Sequence, residues 1–119
     1  LVSSSAASDV YKRQRLTLDS EIKQNQTNVA SAWSNFQSNK SLLNSVQLQV
    51  RAAEIANEGI TAEYNSGSSG RTTLEVIQSN SLLLNAQISL ADSERNFILS
   101  QFNLLKSIGL LNSDYLKLR

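Results

Sequence analysis

A seven-residue apolar spacing runs through almost the whole of this chain, and it limits the fold more than any other feature. Ile22, Val29, Phe36, Leu43 and Val50 keep one register, which reaches Tyr64 after a polar step at Asn57. Val76, Leu83, Leu90, Phe97, Leu104 and Leu111 keep a second. Such a repeat places one residue of every second turn on the same seam and favours helices that wind around neighbours in a left-handed supercoil. Between the two registers lies Tyr64-Asn-Ser-Gly-Ser-Ser-Gly-Arg-Thr-Thr-Leu-Glu75, the only stretch where Gly and Ser crowd together. The chain therefore reads as all-α, two long antiparallel helices joined by an exposed turn.

The first helix is expected from about 18 to 64. With no Pro in the chain and only Gly59 late in this segment, about 70 Å of unbroken helix is possible at 1.5 Å per residue. Three residues after the main column stand Asn25, Ala32, Asn39, Val46, Ala53 and Ile60. Small and polar side chains there allow close helix approach but weaken the apolar drive. Trp33 broadens the stripe and reads as a packing anchor. The tip is expected at 65–71 and the second helix at about 72–108. Thr72-Thr73-Leu74-Glu75 fits a capping box, and Gly109 after Lys106 fits a left-handed helix stop. The tail beyond, with Asn-Ser-Asp before Tyr115, reads as a break and a short further helix or connector.

The second helix carries two apolar runs. Besides the main column, Leu74, Ile77, Leu84, Ile88, Ala91, Ile98, Phe102 and Leu105 form another, interrupted by Ser81 and Arg95. Ser79, Ser93, Ser100 and Ser107 sit beside the first and suit tight packing. A two-stranded coiled coil needs one seam, so two offset seams imply neighbours on two sides. The hairpin partner covers one, and the other calls for further segments of the protein or other subunits.

Composition excludes several functions. Net charge is +1 with 18% charged residues, which makes no electrostatic case for nucleic acid. The absence of His and Cys removes thiol chemistry and the usual transition-metal ligands, leaving scattered Ser and carboxylates as catalytic candidates. Gly67-Ser-Ser-Gly-Arg lacks the strand and the Lys-Ser/Thr of a phosphate loop. No metal, cofactor or catalytic site is expected. Ser, Asn and Gln make up about a third of the chain, which reads as wet faces that are polar but weakly charged. No run of about 18 apolar residues occurs, so no transmembrane helix is expected. Residues 1–14 share neither repeat and resemble translated adapter sequence, so they are set apart from 15–119; the alternative is a frayed native helix end.

An ordered set of residues carries a family resemblance. Ala32-Trp33, Glu63-Tyr64 before the turn, Gly70-Arg-Thr-Thr-Leu-Glu-Val-Ile77, Leu84-Asn-Ala-Gln87, Ser93-Glu-Arg-Asn-Phe97 and Leu104-Leu-Lys-Ser-Ile-Gly-Leu-Leu111 resemble the second half of the TolC-like outer membrane efflux proteins. The resemblance covers roughly residues 16–118. It implies a periplasmic α-hairpin fragment of a trimeric α-barrel in a passive channel for efflux or type I secretion. Its implied partners are two further copies, a periplasmic membrane fusion (adaptor) protein and, indirectly, an inner-membrane pump. Gly67, Ser68, Ser69 and Gly70 would form the tip on which the adaptor docks, or serve as an ordinary interhelix turn. Tyr64, Arg71, Glu75 and Gln78 would lie at the entrance gate. Tyr64 reads equally as core packing, and Glu75 as the capping-box acid or as one member of an acidic ring. Gln78 departs from the pattern where a second acidic ring can stand, and the spacing from Tyr64 to Arg71 is two residues longer than usual. The alternative reading is an adaptor or other coiled-coil scaffold without a pore.

Overall fold

The computed structural model describes residues 2–67 and 70–110, the side chain of Val2 excepted. It contains two helices, α1 (Val2–Asn65) and α2 (Thr73–Ser107), and no strand among the described residues. α1 begins well before the start expected near Leu18. Nothing before Leu18 is Gly or Pro, and the Ala and Ser residues there tolerate helix, so the helix does not need the apolar repeat to continue. Leu111 and the further helix expected around Tyr115 lie outside the described residues.

The chain divides into two compact units, residues 35–101 and residues 1–34 with 102–119. In the first, the end of α1 and most of α2 form an antiparallel hairpin. Along α1 the half-buried or buried positions are Phe36, Asn39, Leu43, Val46, Val50, Ala53, Asn57 and Ile60, which is the expected column together with the positions three residues after it, and Thr61 beside them. Along α2 they include Val76, Ser79, Leu83, Ala86, Leu90, Ser93, Phe97 and Ser100. Phe36 and Phe97 stack with ring centroids 5.5 Å apart. Such an aromatic pair contributes about 0.5–1.5 kcal/mol beyond the area it buries.

Small residues set how closely the helices approach. Ser79, Ala86, Ser93 and Ser100 are buried on α2, all on one seven-residue spacing. Ser100 Oγ donates to the Phe97 carbonyl at 2.6 Å, so its hydroxyl is satisfied within its own helix. A polar group paired in this way can be buried without the penalty of an orphaned donor. Asn57 is different: its Oδ1 is buried and unpaired. It weakens the seam two turns before the tip, since an unsatisfied buried acceptor costs about 1–3 kcal/mol.

The core is thin. Val46, Val50 and Ala86 are the buried apolar residues among those described, and no large side chain is fully enclosed. Leu74, Ile77, Leu84, Ile88 and Ile98, all in the second run of α2, are each at least half exposed. At 100° per residue the centre of this run lies about 150° around the helix from the centre of the buried seam. The two seams of α2 therefore face nearly opposite ways, and within this hairpin α1 covers one of them.

In the other unit, Val29 and Ala32 of α1 and Leu104, Leu105 and Ser107 of α2 are half-buried, while residues 3–28 are exposed. Ser107 Oγ donates to the Leu104 carbonyl at 2.8 Å. α2 ends in a Schellman motif: Leu110 N–H donates to Leu105 O at 2.9 Å and Gly109 N–H to Lys106 O at 3.2 Å. Gly109 has φ 75°, the left-handed conformation expected of it. No helix among the described residues is long and apolar enough to cross a membrane.

Candidate functional site at the hairpin tip

α1 ends through Gly67, whose φ of 69° lets the chain leave the helix. Its N–H donates to Tyr64 O at 3.2 Å, and Ser66 N–H to Ala62 O at 3.0 Å. Gly70 is exposed, while Ser68 and Ser69 lie outside the described residues.

α2 opens with the expected capping box. Thr72 N–H donates to Glu75 Oε2 at 2.8 Å, and Glu75 N–H donates to Thr72 Oγ1 at 3.3 Å. Two backbone donors that a helix start leaves unpaired are thereby satisfied, and the carboxylate also suits the positive end of the helix dipole.

Arg71 reaches back across the turn. Its Nε donates to Glu63 Oε2 at 2.6 Å, and its Nη1 lies 3.7 Å from Glu75 Oε1. The guanidinium joins the last turns of α1 to the first turn of α2. Its pKa is raised, first by the hydrogen bond to Glu63, then by the charges of Glu63 and Glu75. An arginine beside a helix N-terminus is unfavourable for the dipole, and the two carboxylates offset that.

Tyr64 leaves the seam. It is 41% exposed rather than packed in the column that leads to it. It lies in the last turn of α1, across from the very beginning of α2, where there is no second helical turn to cover its ring. Its hydroxyl pairs with Thr73 Oγ1 at 3.1 Å, a second link between the two helices.

Below the links, Ala53, Ala56, Ile60 and Leu82 form the apolar part of an open groove of about 300 Å³, with Arg71, Glu75, Gln78 and Ser79 along its polar side. Tyr64, Arg71 and Glu75 thus come together at the tip, and Gln78 lies one turn below Glu75. Glu63 and Thr73 had no role assigned from sequence. The legible signal for Glu63 was a carboxylate and a guanidinium on opposite sides of one turn; for Thr73 there was none beyond its place at the helix start.

A hairpin with one shared seam, one bare apolar flank and a tip fastened by polar links defines an all-α, coiled-coil-like class of protein. The chain is similar in sequence to two outer membrane proteins. The outer membrane efflux protein BepC of Brucella suis biovar 1 (strain 1330) is 29% identical over 91 residues, which are 76% of this chain and 20% of that protein. The outer membrane protein TolC of Escherichia coli (strain K12) is 28% identical over 86 residues, 72% of this chain and 17% of that protein. The chain spans at most about a fifth of the length of these relatives. No protein-family model matches it, and no solved structure does.

Proposed function

We propose that this chain is the periplasmic hairpin of an outer-membrane conduit, a passive and non-enzymatic channel component for efflux or type I secretion. The observation that carries the reading is the apolar flank of α2, bare at Leu74, Ile77, Leu84 and Ile88 on the side turned away from α1. A flank of this length is more than a soluble monomer usually leaves in water, and it suits a wall in which each helix touches a neighbour on either side. Similarity to an outer membrane efflux protein and to a second outer membrane protein supports the same reading.

In this proposal the complete protein is a homotrimer of the outer membrane whose helices enclose the conduit. The tip from Gly67 to Gly70 receives a periplasmic adaptor protein, through which an inner-membrane pump is served. Tyr64, Arg71, Glu75 and Gln78 border the entrance. Native mass spectrometry of the complete protein in detergent tests it. A trimer is the expected species, and a stable monomer would refute the assembly on which the conduit depends.

A further inference from the structure

We propose that the groove between α1 and α2 below the tip is a binding site for a small, neutral aromatic molecule carrying a hydroxyl or amide group, with Ser79 as its hydrogen-bonding anchor. The site needs the hairpin alone and does not rest on the conduit reading.

The groove exists because volume is missing from the seam. Ala53 stands on α1 where Val46 and Ile60 stand one heptad to either side, and the small Ser79 lies on the facing seam of α2. Ala56, beside Ala53, adds little bulk. Ile60 and Leu82 wall the space, and Leu82 is 67% exposed, so its apolar surface has nothing above it. The result is an open space of about 300 Å³. That is room for one or two aromatic rings, at the lower end of the volumes that hold small ligands.

Ser79 is the second, independent observation. It is 6% exposed, yet its hydroxyl makes no hydrogen bond among the described residues. Ser81 and Ser100 on the same helix, by contrast, donate to the carbonyls of Ile77 and Phe97. A hydroxyl buried without a partner is costly, and one that lines a groove is satisfied by a polar group entering it. Gln78 on the rim adds a carboxamide that both donates and accepts. Arg71 and Glu75 border the tip end but already face one another. The space therefore presents no unmatched charge, which selects a neutral ligand over an ion.

Leu82 lies about 120° around α2 from the bare flank at Leu74, Ile77, Leu84 and Ile88. A neighbour that covers that flank leaves the groove open.

The chain has no cysteine, so an introduced thiol can report on the site. Ser79→Cys and, as control, Ser38→Cys on the exposed surface of α1 are made in a cysteine-free form of the complete protein. Their rates of modification by hydroxyethyl methanethiosulfonate are followed by mass spectrometry with and without 1-naphthol. At about 2 mM this probe is expected to slow Ser79→Cys about fivefold, as a Kd of roughly 0.5 mM requires, and to leave Ser38→Cys unchanged. Adding Ala56→Leu, at an exposed position whose larger side chain would fill the groove without entering the seam, should abolish the protection. Equal rates with and without the probe would overturn the inference. So would protection that persists with Ala56→Leu, or a Ser79→Cys variant that never reacts, since the side chain would then not open into the groove. A stable monomer would refute the conduit and leave this result intact.

Discussion

Arg71 and Glu63 meet at 2.6 Å across the turn, so the first residues leading into α2 are tied to the last turns of α1 by one charge-assisted hydrogen bond. Both side chains are partly exposed, at 38% and 55%. Bonds of this kind to an ionised acceptor are short and directional, but an exposed pair contributes little to global stability. Its consequence is local: it decides how the tip is held.

Arg71→Ala in the complete protein is expected to raise single-channel conductance, because the tip then loses its ion pair between the helices and keeps the weaker Tyr64–Thr73 link. Unchanged conductance would make the pair a surface feature without effect on the opening. Raising pH is not expected to mimic the substitution. The guanidinium pKa is raised, chiefly by the bond to Glu63, so its contribution is complete below the ordinary arginine range and lost only above it. Salt is the effective lever, since it screens an exposed pair.

Thr72→Ala should remove one half of the capping box, the bond from Glu75 N–H to Thr72 Oγ1. Loss of an N-cap costs about 1 kcal/mol, which corresponds to roughly fivefold faster hydrogen exchange in the first turn of α2 if that turn opens locally. Exchange in the middle of α2, around Leu90, should not change.

Replacement of Gly67 by Val forces a β-branched residue into φ 69°, a conformation that such residues rarely adopt. The turn must rearrange, although a Cβ there would meet no atom within 4 Å. The expected outcome is lower drug resistance in cells with the trimer preserved on native gels. Loss of the trimer as well would show that Gly67 serves folding and not docking.

Leu84→Glu places a charge in the middle of the bare flank, on a residue 56% exposed in the isolated chain. If a neighbour covers this flank, an unpaired carboxylate is buried and assembly fails. Loss of the trimer is the expected result in native mass spectrometry. A trimer of normal stability would show that Leu84 faces water. The matching change at Leu83, on the seam shared with α1, should instead unfold the hairpin itself.

The heptad columns made most of the fold legible. Val46, Val50, Leu83, Leu90, Phe36 and Phe97 could be placed on a shared seam from spacing alone, because a seven-residue repeat leaves few positions able to face a partner helix. The capping box at Thr72 and Glu75 and the left-handed Gly109 were equally readable, since each is a short-range pattern whose partners lie within a few residues. Tyr64 was ambiguous for the opposite reason. Its register continued the column, but whether a register position is covered depends on what stands across from it, and at the end of a hairpin too little does.

Local sequence by itself determined that this protein is a pair of helices with a Gly-Ser turn, and that α2 is apolar on two faces. Helix periodicity and capping depend on neighbours in the chain, so they are written in order along it. Tertiary structure decided which face of α2 is spent on α1, that Arg71 chooses Glu63, and that Tyr64 finds Thr73. Those pairings depend on where the turn sets one helix relative to the other, a matter of a few ångströms that no residue spacing specifies.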